Sequence, residues 1–442
     1  MISDTLPVRP SPVRWTPARW TPGARRWAGW LASRGLTLLL LVPEHKVLGD
    51  VRYYFGALDA VFRGGPVGPA LPEYPAPVLA FLGLPHLVSG PAVPAYLAAF
   101  VLLILAVDAA LTRALFRVAG PRAPGVTLWV CLPPLLGPMF LCRFDLLPAA
   151  LAAGALLAVT TRPARAGVLA GFGAVLGVAV GLVAALAGGS RLTSPLSWQG
   201  ARGLQLEAYA ALPLLVAGAF RPGIWHVEYT RFYAFQLVGP GTGAALTAAT
   251  AASGLAVLLL AVLWLRAARR REALPPAAPG LLAVLTVCLM ATTDKTLSPQ
   301  YLIWVAALVA VVGVTHPDAL PRGTVPLLLA TCALTQLIFP LNYDPLVAVE
   351  PYAVLLLAVR DAGLLAVTWL VGRQLWLLTR RPAQRSDGDG DGDGNGEIAA
   401  RNEQGAERAP SQAVGAMRRQ ANEHRREEPN AVRAVRQPGP AR

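Results

Sequence analysis

The sequence predicts an all-α, polytopic integral membrane protein, a helical bundle of about ten transmembrane helices. Three observations carry that prediction. Of the 442 residues, 55% are hydrophobic and 14% charged, against about 25% charged in a typical soluble domain. Apolar runs near the length that spans hydrocarbon, about 20 residues, recur along the chain, and the mean hydropathy is +0.49. Arginines gather between those runs, as they do in loops that stay inside. Together these exclude a secreted disulfide scaffold, a cytosolic enzyme and a nucleic-acid-binding module. The net charge of +14 belongs to loops, so no nucleic-acid partner is expected.

Residues 1–26 form a basic cytoplasmic N-terminal tail, in which arginines alternate with Trp15 and Trp20 as at a membrane surface. Spans are expected at 27–44, 94–112, 125–141, 146–161, 167–188, 242–265, 278–293, 300–315, 323–340 and 353–372. The first contains Arg34, which either snorkels inward or faces the bundle interior. Pro133, Pro134 and Pro138 should kink the third. With the N-terminus inside, the inner loops hold Arg113, Arg117 and Arg122; Arg162 and Arg165; Arg266, Arg269, Arg270 and Arg271; then Arg373, Arg380, Arg381 and Arg385. That places both termini in the cytoplasm of a multi-pass plasma-membrane protein. The stretch 204–220 is apolar enough to span, yet a single crossing there would put Arg266–Arg271 outside. It is therefore expected to be re-entrant, to lie on the outer surface, or to be one half of a returning pair.

Residues 27–376 make up the transmembrane domain. Residues 377–442 read as a disordered, low-complexity cytoplasmic tail, too poor in apolar residues to fold alone. Its Asp387–Gly396 repeat fails as an EF-hand. The twelfth loop position falls on Ile398, Ala400 or Asn402, never on a glutamate. Cys131, Cys142, Cys288 and Cys332 lack metal-ligand spacing and read as buried apolar residues. The five histidines likewise lack ligand spacing, so neither a metal nor a cofactor is expected.

The unusual polar residues fall on the expected outer side. The long first outer loop, 45–93, carries Asp50, Tyr53 and Tyr54, then Glu73 and Tyr74. The tight second loop holds Arg143 and Asp145, the third Arg202, Gln205 and Glu207. The fourth runs Asp294-Lys295-Thr296-Leu297-Ser298-Pro299-Gln300-Tyr301. Charged groups at helix ends near hydrocarbon are costly unless paired or lining a wet cavity, which makes a functional site the default reading. Each also has a structural reading. Asp50 reads equally as a helix N-cap. Arg143 with Asp145 reads as a local salt bridge, Arg202 with Glu207 as a solvated helix face, and Lys295 with Asp294 as an interfacial pair. Asp108, near the inner end of its helix, reads as structural. One acid together with cations from several loops suits transfer from a lipid-phosphate-linked sugar. Arginine and lysine hold the phosphate, and a carboxylate takes the acceptor's proton. Ser298 is placed to cap the helix that Pro299 opens, so free amides there would assist Lys295 in binding an anion.

The stretches GDVRYYF (49–55), EYP (73–75), CRFDLLPAAL (142–151), RGLQLEAYAALP (202–213) and KTLSPQYLIW (295–304) resemble the GT-C glycosyltransferases. The likeness is to glycosyltransferase family 87 and related bacterial mannosyltransferase-like membrane proteins, over roughly residues 27–376. The resemblance implies an outward-facing active site and a polyprenyl-phosphate sugar donor, commonly mannose. It implies inversion at the anomeric centre, an acceptor glycan or glycolipid, membrane lipid as a partner, and no metal. The catalytic acid it implies is Asp50. Many such enzymes carry two adjacent acids there; here Val51 follows, and Glu73 is the candidate second carboxylate. Substrate would be held by Tyr54, Arg143, Asp145, Arg202, Gln205, Glu207, Lys295, Ser298, Gln300 and Tyr301. The alternative is a transporter or flippase of an anionic lipid or small solute. That reading calls for internal repeats and charges near the midplane. A membrane scaffold would have no reason to concentrate charge in its outer loops.

Overall fold

The computed structural model describes residues 21–121, 123–161, 190–269 and 274–380. Most of the N-terminal tail, the expected span 167–188 and the tail beyond Arg380 lie outside the described residues. The described chain is mostly helical. Four of its helices are long and apolar enough to cross a membrane: Val93–Val118, Thr242–Ala267, Thr324–Leu341 and Pro351–Arg380.

In chain order the helices are α1 (Pro22–Leu41), α2 (Gly49–Phe62), α3 (Ala76–Ser89), α4 (Val93–Val118), α5 (Pro124–Leu136) and α6 (Leu146–Thr161). After the undescribed stretch come α7 (Ser190–Ala201), α8 (Leu212–Phe220), a hairpin of β1 (His226–Tyr229) and β2 (Phe235–Val238), and α9 (Thr242–Arg269). The chain continues through α10 (Ala278–Thr293), α11 (Tyr301–Thr315), α12 (Thr324–Gln336), α13 (Tyr343–Val347) and α14 (Pro351–Arg380). The hairpin departs from an all-α architecture. Its apolar and aromatic residues Val227, Tyr229, Phe235 and Leu237 alternate with the polar Glu228 and Gln236, which suits a pleated ribbon.

α11 is the centre of the bundle. It is apolar on every side, and residues 305–314 are buried without a break, as expected of a helix surrounded by others. α5 and α6 both pack on it. α5 comes close because Gly125 faces Gly313, where a Cβ on either residue would strike the other's main chain. α14 packs on α10 and α12.

Arg34 does not snorkel. Its guanidinium forks onto Asp108, with Nε 2.8 Å from Oδ2 and Nη2 2.7 Å from Oδ1. Trp30 Nε1 donates to the same carboxylate at 2.7 Å. Both side chains are enclosed, which gives Asp108 its structural role. Near the N-terminus of α1, Arg26 donates to the carbonyls of Ala119 and Gly120 just past α4. A cation at a helix C-terminus complements the free carbonyls there. α1 and α4 therefore run antiparallel.

α5 ends at Leu136, short of the expected 141, because Gly137 takes a φ of +78° that only glycine adopts freely. A Cβ at Gly137 would also collide with the side-chain amide of Gln336. The stretch 204–220 does not form one helix. Residues 202–205 are irregular up to a single β-bridge at Gln205, residues 206–208 turn, and α8 is only 9 residues long, about 13 Å at 1.5 Å per residue. That is far short of the roughly 30 Å hydrocarbon thickness. The hairpin follows α8 directly.

Candidate functional site

Four separated segments converge beside α11. The first is the start of α2. The helix begins at Gly49 and no side chain caps it, so Asp50 sits in the first turn and is not the N-cap. A carboxylate there is favoured by the helix dipole. The second segment is the tight turn 141–145 between α5 and α6. It points Arg143 toward α2, where Arg143 Nη1 forms an ion pair with Asp50 Oδ2. The local Arg143–Asp145 bridge is thus replaced by a pair that joins two separate interhelical segments.

The third segment is 202–207. It meets β2 through a single antiparallel bridge at Gln205 and Gln236: Leu206 N donates to Phe235 O at 3.0 Å and Leu237 N to Leu204 O at 2.9 Å. The fourth is 295–301, the lead into α11. Gln205 bridges the two, with its main-chain N–H donating to Lys295 O at 3.1 Å and Nε2 reaching Ser298 Oγ at 3.5 Å.

These segments enclose two adjoining lobes. The first, about 280 Å³, is lined by Lys46, Asp50, Arg143, Arg202, Gln205, Glu207, Ser298 and Gln300, with Tyr229, Tyr233 and Tyr343. The second, about 250 Å³, is lined by Asp50, Tyr53, Glu73, Tyr74, Asp145, Arg202, Ser298, Gln300, Tyr301 and Trp304, with Tyr233 and Trp198. Asp50, Arg202, Tyr233, Ser298 and Gln300 border both, so the two are parts of one cleft. A third cavity, about 620 Å³, adjoins the second through Tyr53, Trp198 and Tyr233. Tyr53 and Tyr233 lie ring to ring there, 4.3 Å between centroids. Tyr233 borders all three cavities from the hairpin turn, where its φ of +53° lies in the left-handed region that non-glycine residues seldom take. α7 brings Trp198 to the rim. It is tied to the segment between α2 and α3 by Arg191, whose Nη2 donates to Ala70 O at 3.2 Å and Leu71 O at 3.0 Å.

The electrostatics of the cleft follow from its enclosure. Burial pushes the Asp145 carboxyl up to about 6, against the opposing pull of the Arg143 charge. Burial likewise raises Glu73, although Tyr53 donates to its Oε2 at 3.2 Å. Glu207, 1% exposed, is pushed up to about 7 by burial. Its Oε2 lies 3.3 Å from Nη2 of Arg360 on α14, whose Nε is 2.8 Å from Asp361 Oδ1. Glu207 thus faces the cleft in front and a buried ionic cluster behind, which corrects its reading as a solvated helix face.

Of the residues expected to hold substrate, Arg143, Asp145, Arg202, Gln205, Glu207, Ser298, Gln300 and Tyr301 all line the cleft, as do Asp50 and Glu73. Two expected residues do not. Tyr54 is fully buried one layer below, its hydroxyl 3.2 Å from that of Tyr74. Lys295 Nζ donates to the carbonyls of Gly200 (3.0 Å) and Arg202 (2.8 Å), so it staples the segment after α7, and it lines neither lobe of the cleft. Nor is Ser298 a cap. α11 begins after Gln300, and the amides of Tyr301, Leu302 and Ile303 donate to the carbonyls of Ser298, Pro299 and Gln300. Those amides are spent, so the expected anion site at that helix start does not exist.

Sequence reasoning missed Lys46, Tyr343 and the hairpin aromatics. Lys46 lies in the loop 45–93 that supplies Asp50 and Glu73 but was given no role of its own, and α13 and the hairpin come from stretches without a clear period.

Fold and cleft together define a class: a helical, membrane-type protein whose interhelical loops enclose a charged, aromatic-rimmed cavity. No family model, curated protein or solved structure matches the chain.

Proposed function

We propose that this chain is a membrane glycosyltransferase of GT-C type. It moves a sugar, mannose in the first instance, from a polyprenyl-phosphate donor to an acceptor hydroxyl at the outer face of the plasma membrane. In this reading the ten spans set out above cross the bilayer with both termini inside.

The observation that carries the reading is the position of Asp50 on the border of both lobes. Phosphate chemistry suits the lobe with Lys46, Arg143 and Arg202. A sugar and an incoming hydroxyl suit the lobe with Glu73, Asp145 and Tyr74, reached through the aromatic vestibule of Tyr53, Trp198 and Tyr233. Tyrosine and tryptophan faces pack well on sugar C–H surfaces while their polar tips stay wet. Asp50 meets both substrates and takes the acceptor proton as the hydroxyl oxygen attacks the anomeric carbon. Protonation of Asp50 neutralises the partner of Arg143 and frees that guanidinium for the leaving phosphate. Glu73, half-buried and held by Tyr53, orients the acceptor. The alternative of transport gains less from the geometry: Arg34 and Asp108 neutralise each other inside the bundle and border none of these cavities.

The test is transfer from radiolabelled polyprenyl-phosphate mannose in membranes expressing wild type or Asp50→Asn. The expected result is lipid- or glycan-linked product from wild type and a loss of about 10²–10⁴-fold in the variant, with expression unchanged. Equal product from both would overturn the role of Asp50. No product from wild type, when other polyprenyl-phosphate sugars are also tried, would overturn the reading.

A further inference from the structure

A separate groove of about 330 Å³ lies between α9 and α14, over α10, and is lined by Leu263, Arg266, Leu282, Leu285, Leu375 and Trp376 among others. α9 and α14 both pack on α10. The groove is remote from the cleft along the same helices. Arg360 of α14 pairs with Glu207 of the cleft, whereas the groove begins on that helix at Gly372, 12 residues further on, or about 18 Å at 1.5 Å per residue. Its walls are apolar except at the end where α9 and α14 finish. Arg266 lines it there, and Arg269 closes α9 one turn later. Arg380 ends α14, with its guanidinium carbon 3.8 Å from the ring centroid of Trp376. That cation–π contact holds the charge against the groove wall. No acid occurs in 259–269, 274–289 or 372–380. None of the three arginines has an ion-pair partner among the described residues; Glu272, in the intervening loop, lies outside them.

We infer that this groove binds an anionic glycerophospholipid, with one acyl chain between α9 and α14 and the phosphate on Arg266 and Arg380. Two physical demands meet in that ligand. An apolar groove left empty forfeits dispersion contacts along its whole lining, and within hydrocarbon the filler at hand is an acyl chain. Arginines without acids at the end of the groove call for an anion, and basic pockets between membrane helices take acidic lipid head groups in this way. An ordinary boundary lipid would need only the apolar walls. The arginines add selection by charge, because a zwitterionic head group brings its own ammonium beside the guanidinium groups. The groove exists only while α9 and α14 are packed on α10, so the lipid binds the folded state and stabilises it by mass action. The site stands apart from the glycosyltransferase reading: its cations belong to other segments than those of the cleft, and it holds whatever the cleft transfers.

The test uses purified full-length protein in detergent micelles, titrated with phosphatidylglycerol or with phosphatidylcholine of the same acyl chains. Retained lipid is counted by native mass spectrometry, and thermal unfolding is followed alongside. Wild type should bind the anionic lipid at least tenfold more tightly and melt higher with it. Arg266→Gln combined with Arg380→Gln should erase most of that preference, and the two lysine replacements should keep it. Gly372→Leu, where an added Cβ first meets Leu285 Cδ1 at 3.6 Å, should fill the groove and weaken both lipids. Arg113→Gln with Arg117→Gln, near the end of α4, should change neither and so controls for basic surface elsewhere. Equal binding of the two lipids by wild type, or a full preference in the double glutamine variant, would overturn the inference. Displacement of phosphatidylglycerol by decaprenyl phosphate at equal concentration would assign the groove to a polyprenyl chain. A lipid-free dimer that Gly372→Leu dissociates would assign it to a second copy of this chain. Either of those results would also overturn the phospholipid site.

Discussion

Replacing Asp108 by asparagine isolates what a buried charge is worth in this bundle. The carboxylate is fully enclosed and receives three short hydrogen bonds, two from Arg34 and one from Trp30. Asparagine keeps the shape but sets an NH₂ donor against a guanidinium N–H. Arg34 would then keep one bond to the amide oxygen and its longer contacts, including Trp129 O at 3.2 Å and Val130 O at 3.3 Å, but would lose the carboxylate charge. Removing one partner of such a pair costs about 3–5 kcal/mol, because the remaining charge is left uncompensated. At 1.4 kcal/mol per decade, that lowers the folding equilibrium by about two to three and a half orders of magnitude. The assay is unfolding of the purified protein from mixed micelles by increasing dodecyl sulfate, read by tryptophan fluorescence. Asp108→Asn should unfold at markedly lower detergent fraction. The double replacement Arg34→Met with Asp108→Leu should recover most of the loss, since a well-packed apolar pair often equals a buried ion pair. A cost below about 1 kcal/mol for Asp108→Asn would mean that water reaches Arg34, and the enclosed-pair reading would be wrong.

Two further outcomes test the cleft. Glu207 titrates near 7 in the fold rather than at its ordinary 4.5, so the folded state favours its protonated form. The stability this gives is whole below about pH 4.5 and is lost as pH rises through 7, at up to about 1.4 kcal/mol per pH unit. Melting curves from pH 5 to 8 should therefore fall more steeply for wild type than for Glu207→Gln, and parallel slopes would refute the assignment. Lys295→Gln should loosen residues 200–205, costing about 1–2 kcal/mol for two partly exposed bonds from a charged donor. Faster hydrogen exchange at the amides of Gln205 and Leu206 would register it, and unchanged exchange would show that the staple is dispensable.

The sequence made some features legible because single-residue chemistry decides them. Long apolar runs predict α4, α9 and α14, and the outer-loop acids and arginines do meet in one cleft. Pairings across the chain were not legible. Arg34 finds Asp108 and Arg143 finds Asp50 because helix packing sets their distance, and no local spacing reports that. Lys295 was misassigned for a related reason. A lysine before a helix start suggests an anion, but a main-chain carbonyl is also an acceptor, and its position depends on how residues 200–205 fold. Ser298 failed as a cap because the turn before α11 satisfies the helix amides through its own carbonyls. The hairpin escaped notice because four-residue strands leave too short a period to read beside an apolar helix.

Because Lys295 grips only main-chain oxygens, the hold it exerts is blind to the side chains at positions 200 and 202. Arg202 can be exchanged for another residue without unseating the loop that carries it. The cleft's wall can thus be re-lettered at a position that borders both lobes, while the frame stays put. A scaffold of this kind permits a change of ligand preference by one substitution, at a site that the staple itself never inspects.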